Sequence, residues 1–244
     1  MTALEMTVRT RIIDAGTGHP TDARRGKVAS GYKFVVADDH PLFRGALREA
    51  LVGMAKGSSV IEAGDFESVK SLIAANDDAD LVLLDLTMPG ASGLSGLVAL
   101  RGLHSSMPMI VVSAHDDPET IRRALELGAS GFIPKSASME DIRIAVSTVL
   151  AGGIHTPEGI DLGVEADPEI SDLIHRLQTL TPQQTRVLGM MAEGRLNKQI
   201  AYELQVSEAT VKAHVSAVLQ KLGVDSRTQA VIKLSRIGAD QAAV

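Results

Sequence analysis

Residues 81–89 read Leu-Val-Leu-Leu-Asp-Leu-Thr-Met-Pro. Four consecutive apolar residues without polar alternation mark a strand buried on both faces, as in a parallel sheet with helices above and below. The acid that ends the run, Asp85, then stands at the strand's carboxyl end, where doubly wound sheets keep their functional groups.

Similar short apolar runs flank this one: FVVA at 34–37, SVI at 59–61, MIVV at 109–112 and GFI at 131–133. Between them lie amphipathic stretches starting near Pro41, Phe66, Gly93, Pro118 and Ser138, the last opening with a Ser-x-Glu-Asp helix start. The pattern predicts an α/β unit over 31–150, a (βα)5 doubly wound parallel sheet. Residues 1–30 are polar and Gly/Thr-rich and are read as a flexible extension. Residues 151–179 begin Ala-Gly-Gly and turn acidic, which marks a linker with room for one helix in DPEISDLIHRLQ. Helical patterns over 182–193, 197–204, 208–222 and 226–237, broken by Gly194 and Gly223, predict a small all-α four-helix unit at 180–239.

The 244 residues include no cysteine, which excludes disulfides, thiol nucleophiles and Cys-ligated zinc. The seven histidines form no H-x-x-x-H pair. No stretch approaches the roughly 20 apolar residues that span a bilayer, so a cytoplasmic protein without membrane contact is expected. The net charge of −6 hides an asymmetry: 10 basic and 16 acidic residues at 31–150, against 8 basic and 4 acidic at 180–239. A basic end on an acidic chain is the footprint of nucleic-acid contact.

In the predicted sheet Asp38 and Asp39 end the first strand and Asp85 the third, so three carboxylates converge on one rim. Their mutual repulsion is relieved by a hard divalent cation, for which Mg²⁺ is the natural candidate. Ser113 and Lys135 follow the fourth and fifth strands and bring a hydroxyl and an ammonium suited to phosphoryl oxygens. A phosphohydrolase using Asp85 as nucleophile is disfavoured, because Asp-Leu-Thr lacks the second aspartate of a D-x-D arrangement that would serve as general acid. GASGLSG at 90–96 is not G-x-G-x-x-G and reads as a loop and helix start.

On a helical wheel of 208–222, Val211, Val215, Val218 and Leu222 form a stripe within about 60°. Ala213, Ser216 and Gln220 lie opposite, with Thr210 and Lys212 flanking. That exposed face offers a cation, hydroxyls, an amide and a methyl, the groups that anchor phosphates and read base edges.

The blocks V-V-A-D-D-H-P-L-F-R-G-A-L, L-V-L-L-D-L-T-M-P, V-V-S-A and L-G-A-S-G-F-I-P-K resemble the receiver domains of NarL/LuxR-type two-component response regulators. Residues 180–238 resemble the LuxR-type helix-turn-helix through L-T-P, N-K-x-I-A, T-V-K-x-H, K-L-x-V and R-T-x-A. The resemblance implies that Asp85 is the phosphoacceptor, loaded by a sensor histidine kinase. It implies Mg²⁺ on Asp39, Asp85 and the Thr87 carbonyl with Asp38 assisting, and Ser113 and Lys135 on the phosphoryl oxygens. Phe132 is implied as the switch aromatic that moves when Ser113 is drawn in.

In the second domain it implies Lys212, Ala213 and Ser216 at base-reading positions, with Lys198, Thr210 and His214 as phosphate contacts on double-stranded DNA. A homodimer on paired half-sites is expected, since a unit of this charge makes few phosphate contacts. The protein is therefore expected to be no enzyme beyond accepting a phosphoryl group and releasing it by self-dephosphorylation. The alternative is a phosphorylation-independent regulator controlled by a ligand or protein partner. Gln183 and Gln184 depart from the family's usual Arg and Glu after L-T-P, which removes a helix-supporting ion pair.

Overall fold

The computed structural model describes residues 31–91, 93–160 and 167–239. The expected extension over 1–30 lies outside them, as does part of the linker.

Strands β1 (Lys33–Ala37), β2 (Ser59–Ala63), β3 (Leu81–Asp85), β4 (Met109–Ser113) and β5 (Gly131–Pro134) form one parallel sheet in the order β2-β1-β3-β4-β5. Helices α1 (Pro41–Val52), α2 (Phe66–Ala75), α3 (Ser95–Leu103), α4 (Pro118–Glu126) and α5 (Met139–Leu150) alternate with them. Alternate residues of each central strand serve opposite cores. Phe34, Val36, Leu81, Leu83, Ile110 and Val112 pack with the buried residues of α1 and α5. Val35, Val82, Leu84, Met109 and Val111 pack with those of α2, α3 and α4. The continuous apolar runs in the sequence follow directly from this two-sided burial.

Local chemistry sets the helix starts. Asp65 and Asp117 accept hydrogen bonds from the Ser68 and Thr120 amides, and Ser138 forms a reciprocal capping box with Asp141. Helix α3 begins at Ser95, two residues later than the sequence suggests, because Gly93 sits at φ +53°, a left-handed conformation that ends a turn and cannot open a helix.

The second part comprises α6 (Pro168–Gln178), α7 (Pro182–Ala192), α8 (Asn197–Leu204), α9 (Glu208–Leu222) and α10 (Arg227–Ala239). The linker's helix is α6, and its buried Ile170, Leu173, Ile174 and Leu177 make it part of the helical bundle, where it meets α9 and α10. The lost Arg–Glu pair has a substitute. Gln184 accepts from the Thr181 amide in a capping box, and its Oε1 also takes the Lys221 ammonium at 2.8 Å.

The two parts are docked. Helix α3 lies along α7, with Gly102 under Thr185 and Gly189 against Ala99, and α10 also touches α3. Around this seam Lys70 Nζ meets Glu193 at 2.5 Å, Gln178 donates to the Glu126 carbonyl, and buried Arg123 donates to the Ile237 carbonyl. The apolar core on the α2–α4 side of the sheet runs without interruption into the helical bundle. No described helix is long and apolar enough to cross a membrane.

Candidate functional site

Sheet register brings the predicted acids together. Ala37 pairs with Leu84 and Ser113 with Pro134, so the residues that follow β1, β3, β4 and β5 open on one rim. Asp38, Asp85 and Ser113 are buried there, and Asp39 is partly exposed.

Asp85 is held on both oxygens. The Thr87 amide donates to Oδ1 at 3.1 Å, and the Thr87 hydroxyl reaches the same carboxylate. Lys135 Nζ lies 2.8 Å from Asp85 Oδ2 and 2.8 Å from Asp38 Oδ2, so one ammonium bridges two buried carboxylates. Burial works against that charge, but the hydrogen bonds and charges of Asp38 and Asp85 outweigh it and hold the Lys135 pKa above its ordinary value. The Phe43 ring beneath the ammonium, 5.3 Å from its centroid, adds a further attraction. Ser113 Oγ accepts from the His115 amide at 3.0 Å, which fixes the hydroxyl on the rim.

The arrangement suits a divalent cation by its donor set and by an unmet need. Asp39 Oδ1 is buried and no hydrogen bond satisfies it beyond a 2.7 Å ion-pair contact with the His40 ring, and ligand atoms from Asp38, Asp39, His40 and Asp85 all lie within 4.8 Å of one another. A hard cation satisfies such crowded carboxylate oxygens. Sequence reading assigned no role to His40 or Arg44, although both stand within the D-D-H-P-L-F-R block. His40 Nδ1 lies 2.7 Å from Asp39 Oδ1, and Arg44 donates to the Asp38 carbonyl while pairing with Glu62. Thr87, expected to act through its carbonyl, meets Asp85 through its amide and hydroxyl.

Phe132, the expected switch aromatic, is fully buried in the core on the α2–α4 side. Its amide donates to the carbonyl of His155 in the linker.

In the helical bundle, α8, a turn with Gln205 at φ +53°, and α9 form the expected helix-turn-helix. Ser207 caps α9 by accepting from the Thr210 amide, and its hydroxyl also meets that of Thr210 at 2.8 Å. Val211, Val218 and Leu222 are buried and Val215 is partly so, while Lys212, Ala213, Ser216 and Gln220 face solvent. Lys198 and Thr210 are exposed and His214 is half-buried. Lys212 is lightly tethered to Glu208 at 3.2 Å. Docking against the receiver side therefore leaves this face of α9 open.

Residues 34–147 match the response regulator receiver domain family, and residues 178–234 match the luxR family of bacterial regulatory proteins. The glycerol metabolism activator of Pseudomonas putida is 42% identical over 212 residues, spanning 84% of this chain and 96% of that protein. The nitrate/nitrite response regulator protein NarP of Escherichia coli K12 is 35% identical over 213 residues, spanning 84% and 94%. Among solved structures, RcsB from Salmonella enterica serovar Typhimurium, bound to promoter P1flhDC in the presence of the phosphomimetic BeF3−, is similar. Its TM-score is 0.51 at 25% identity, covering 85% of this chain and 99% of that one. An acid-lined rim on a five-stranded parallel sheet, joined to a helix-turn-helix with an open reading face, thus has family counterparts at both ends, and the chain belongs to the DNA-binding response regulators that pair a receiver domain with a LuxR-type helix-turn-helix.

Proposed function

We propose that Asp85 accepts a phosphoryl group from a sensor histidine kinase in the cytoplasm, and that its phosphorylation controls sequence-specific binding of residues 180–239 to double-stranded DNA, and hence transcription. The carrying observation is Asp85 itself, buried at the sheet rim with its carboxylate oriented by Thr87 and flanked by Lys135. A carboxylate oxygen attacks phosphorus as the bond from phosphorus to the donor histidine nitrogen breaks, leaving an acyl phosphate on Asp85. The receiver contributes position and charge; the donor supplies the driving force.

Lys135 and Ser113 are the groups that meet the phosphoryl oxygens. Asp39, Asp85 and the Thr87 carbonyl would hold Mg²⁺ with Asp38 assisting, and the ion would offset the phosphoryl charge during transfer. Self-dephosphorylation is the one hydrolytic activity this assigns. Phe132 is the proposed switch aromatic, and its hydrogen bond to the linker gives a change at β5 a direct path out of the receiver.

On DNA, Lys212, Ala213 and Ser216 are proposed to read bases, the Ala213 methyl packing on a thymine methyl. Lys198, Thr210 and His214 would contact phosphates. Two copies on paired half-sites would supply the contacts one small basic unit lacks. The receiver spans 31–150 in this reading, the linker 151–179 and the DNA-binding domain 180–239.

The test mixes the full chain with sheared host DNA, with and without Mg²⁺ and a small phosphodonor, alongside Asp85→Asn, and sequences what is retained. Discrete fragments enriched only with donor, and never by Asp85→Asn, are expected. Enrichment indifferent to donor and to Asp85 replaces this reading with the phosphorylation-independent regulator, which the open reading face of α9 also accommodates.

A further inference from the structure

Helices α2, α3 and α7 do not close completely along the docking seam. A cavity of about 320 Å³ remains between the receiver side and the bundle, at the small end of the range that holds small-molecule ligands. Ala99 and Leu103 of α3 and Met190 of α7 give it an apolar floor.

Its two ends differ in charge. Arg186 and Glu193 both line it and stand two turns apart along α7, about 10 Å, so they mark opposite ends. At the Glu193 end every cation is taken: Lys70 lies 2.5 Å from Glu193 and 2.7 Å from Glu67, and Arg195 lies 2.6 Å from Glu193 and 3.0 Å from Glu203. At the other end Arg186 makes no ion pair among the described residues, and its Nε is buried without a hydrogen-bond partner. A charged donor shut away from water in this state calls for an acceptor. His104, on the same wall, supplies no negative charge. Burial and the Arg186 charge, countered in part by Asp77, hold its pKa below the ordinary 6.5, so the ring is neutral at pH 7.

We infer that this seam cavity binds a small aliphatic monocarboxylate, its carboxylate on Arg186 and its chain over Ala99, Leu103 and Met190. The guanidinium fork matches two carboxylate oxygens, and the floor gains from being covered by methylenes. The far end, with three carboxylates to two cations, repels a second anionic group, and inorganic phosphate would leave the floor bare. This site goes beyond phosphorylation of Asp85 and does not depend on it. Because α2 and α3 form one wall and α7 the other, only the docked protein offers the site, and by mass action its ligand stabilises docking. The seam is thereby a second input to the regulator.

Hexanoate is the probe, titrated into the full chain and followed by NMR at the Arg186 side-chain N–H and the Met190 methyl. Saturable shifts at both are expected, with a Kd of about 1 mM or tighter. Acetate and inorganic phosphate should bind at least about tenfold more weakly, because they leave the floor uncovered. Hexanamide, alike in shape but uncharged, should also lose about tenfold or more. Arg186→Gln removes the cation, and Ala74→Leu fills the mouth of the cavity from an exposed position on α2. Each, checked for unchanged melting, should weaken hexanoate by about tenfold or more. Hexanamide binding as tightly as hexanoate, undiminished binding in either variant, or no saturable shift up to about 20 mM hexanoate would overturn the assignment.

Discussion

Between the buried carboxylates of Asp38 and Asp85 lies one ammonium, and what it offsets is larger than a surface ion pair. Both acids are nearly inaccessible to water, and Lys135 Nζ sits 2.8 Å from each. Removing one partner from a buried pair leaves charge uncompensated, which costs about 3 kcal/mol or more. Lys135→Met is therefore expected to lower stability by about 3 kcal/mol in chelator, with Mg²⁺ recovering part of the loss by replacing the missing cation. Urea unfolding with and without Mg²⁺ measures this, and an equal loss in both conditions would contradict the role given to the acids as a cation site. Because the folded pKa of Lys135 is raised, its stabilisation is complete below the ordinary lysine value of 10.5 and is lost only as pH rises through the raised one. The loss in Lys135→Met should accordingly be the same at pH 6 and pH 9. At this scale the sequence exposed the residues whose position follows from strand ends, namely Asp38, Asp39, Asp85, Ser113 and Lys135. It did not expose His40, whose part depends on which way a ring turns when its neighbour is Pro41, nor the hydroxyl of Thr87.

Strand β5 carries the elements' most consequential junction. It is the sheet's last strand, and the linker lies along its open edge: the His155 amide donates to the Ser130 carbonyl, and the His155 carbonyl accepts from the Phe132 amide. Covering an edge in this way satisfies backbone groups that would otherwise template foreign pairing. Gly131 permits the approach, since a Cβ there would lie 3.1 Å from both the Cβ and the carbonyl oxygen of His155. Gly131→Ala should force the linker back by a few tenths of an ångström and weaken its bridge, seen as faster hydrogen exchange at Phe132 with the amides of β3 and β4 unchanged. Docking should also depend on pH. Burial lowers the His155 pKa, only partly countered by Asp141, so the neutral ring is the docked form. The contribution is full above the ordinary histidine value of 6.5 and is lost as pH falls through the lowered value. Phe132 exchange, corrected for intrinsic rates, should therefore accelerate between pH 7 and pH 5, and a flat profile would sink the claim. Strands and helices were legible because two-sided burial leaves unbroken apolar runs and caps leave Ser and Asp at fixed offsets. The linker's bridge left no such mark, since a single hydrogen-bonded residue has no periodicity to read.

At the scale of the molecule the docking seam decides what the resting protein offers to DNA. Helices α3 and α7 approach closely because small residues meet: a Cβ on Gly102 would fall 2.7 Å from Thr185 Cγ2 and 3.0 Å from the Arg186 amide, and Gly189 abuts Ala99. Lys70–Glu193 and the Arg123 contact to the end of α10 fasten the sides. None of these contacts covers Lys212, Ala213 or Ser216, which stay exposed on α9. Composition predicted an acidic domain facing a basic one, but not which helices would touch, because a glycine in a helix carries no periodic signal of the partner it makes room for. Two consequences separate. Gly102→Ala must open the seam, since backbone and a β-branched side chain are poor at yielding, so the radius of gyration in solution scattering should rise while each domain keeps its own unfolding transition. If the reading face is open before the seam parts, affinity for a DNA duplex carrying one half-site should change by less than about twofold between wild type and Gly102→Ala, both unphosphorylated. A gain of about tenfold or more would instead mean that docking hinders DNA and that the receiver acts by uncovering it. The half-site titration thus distinguishes a receiver that controls access from one that controls how two bound copies come together.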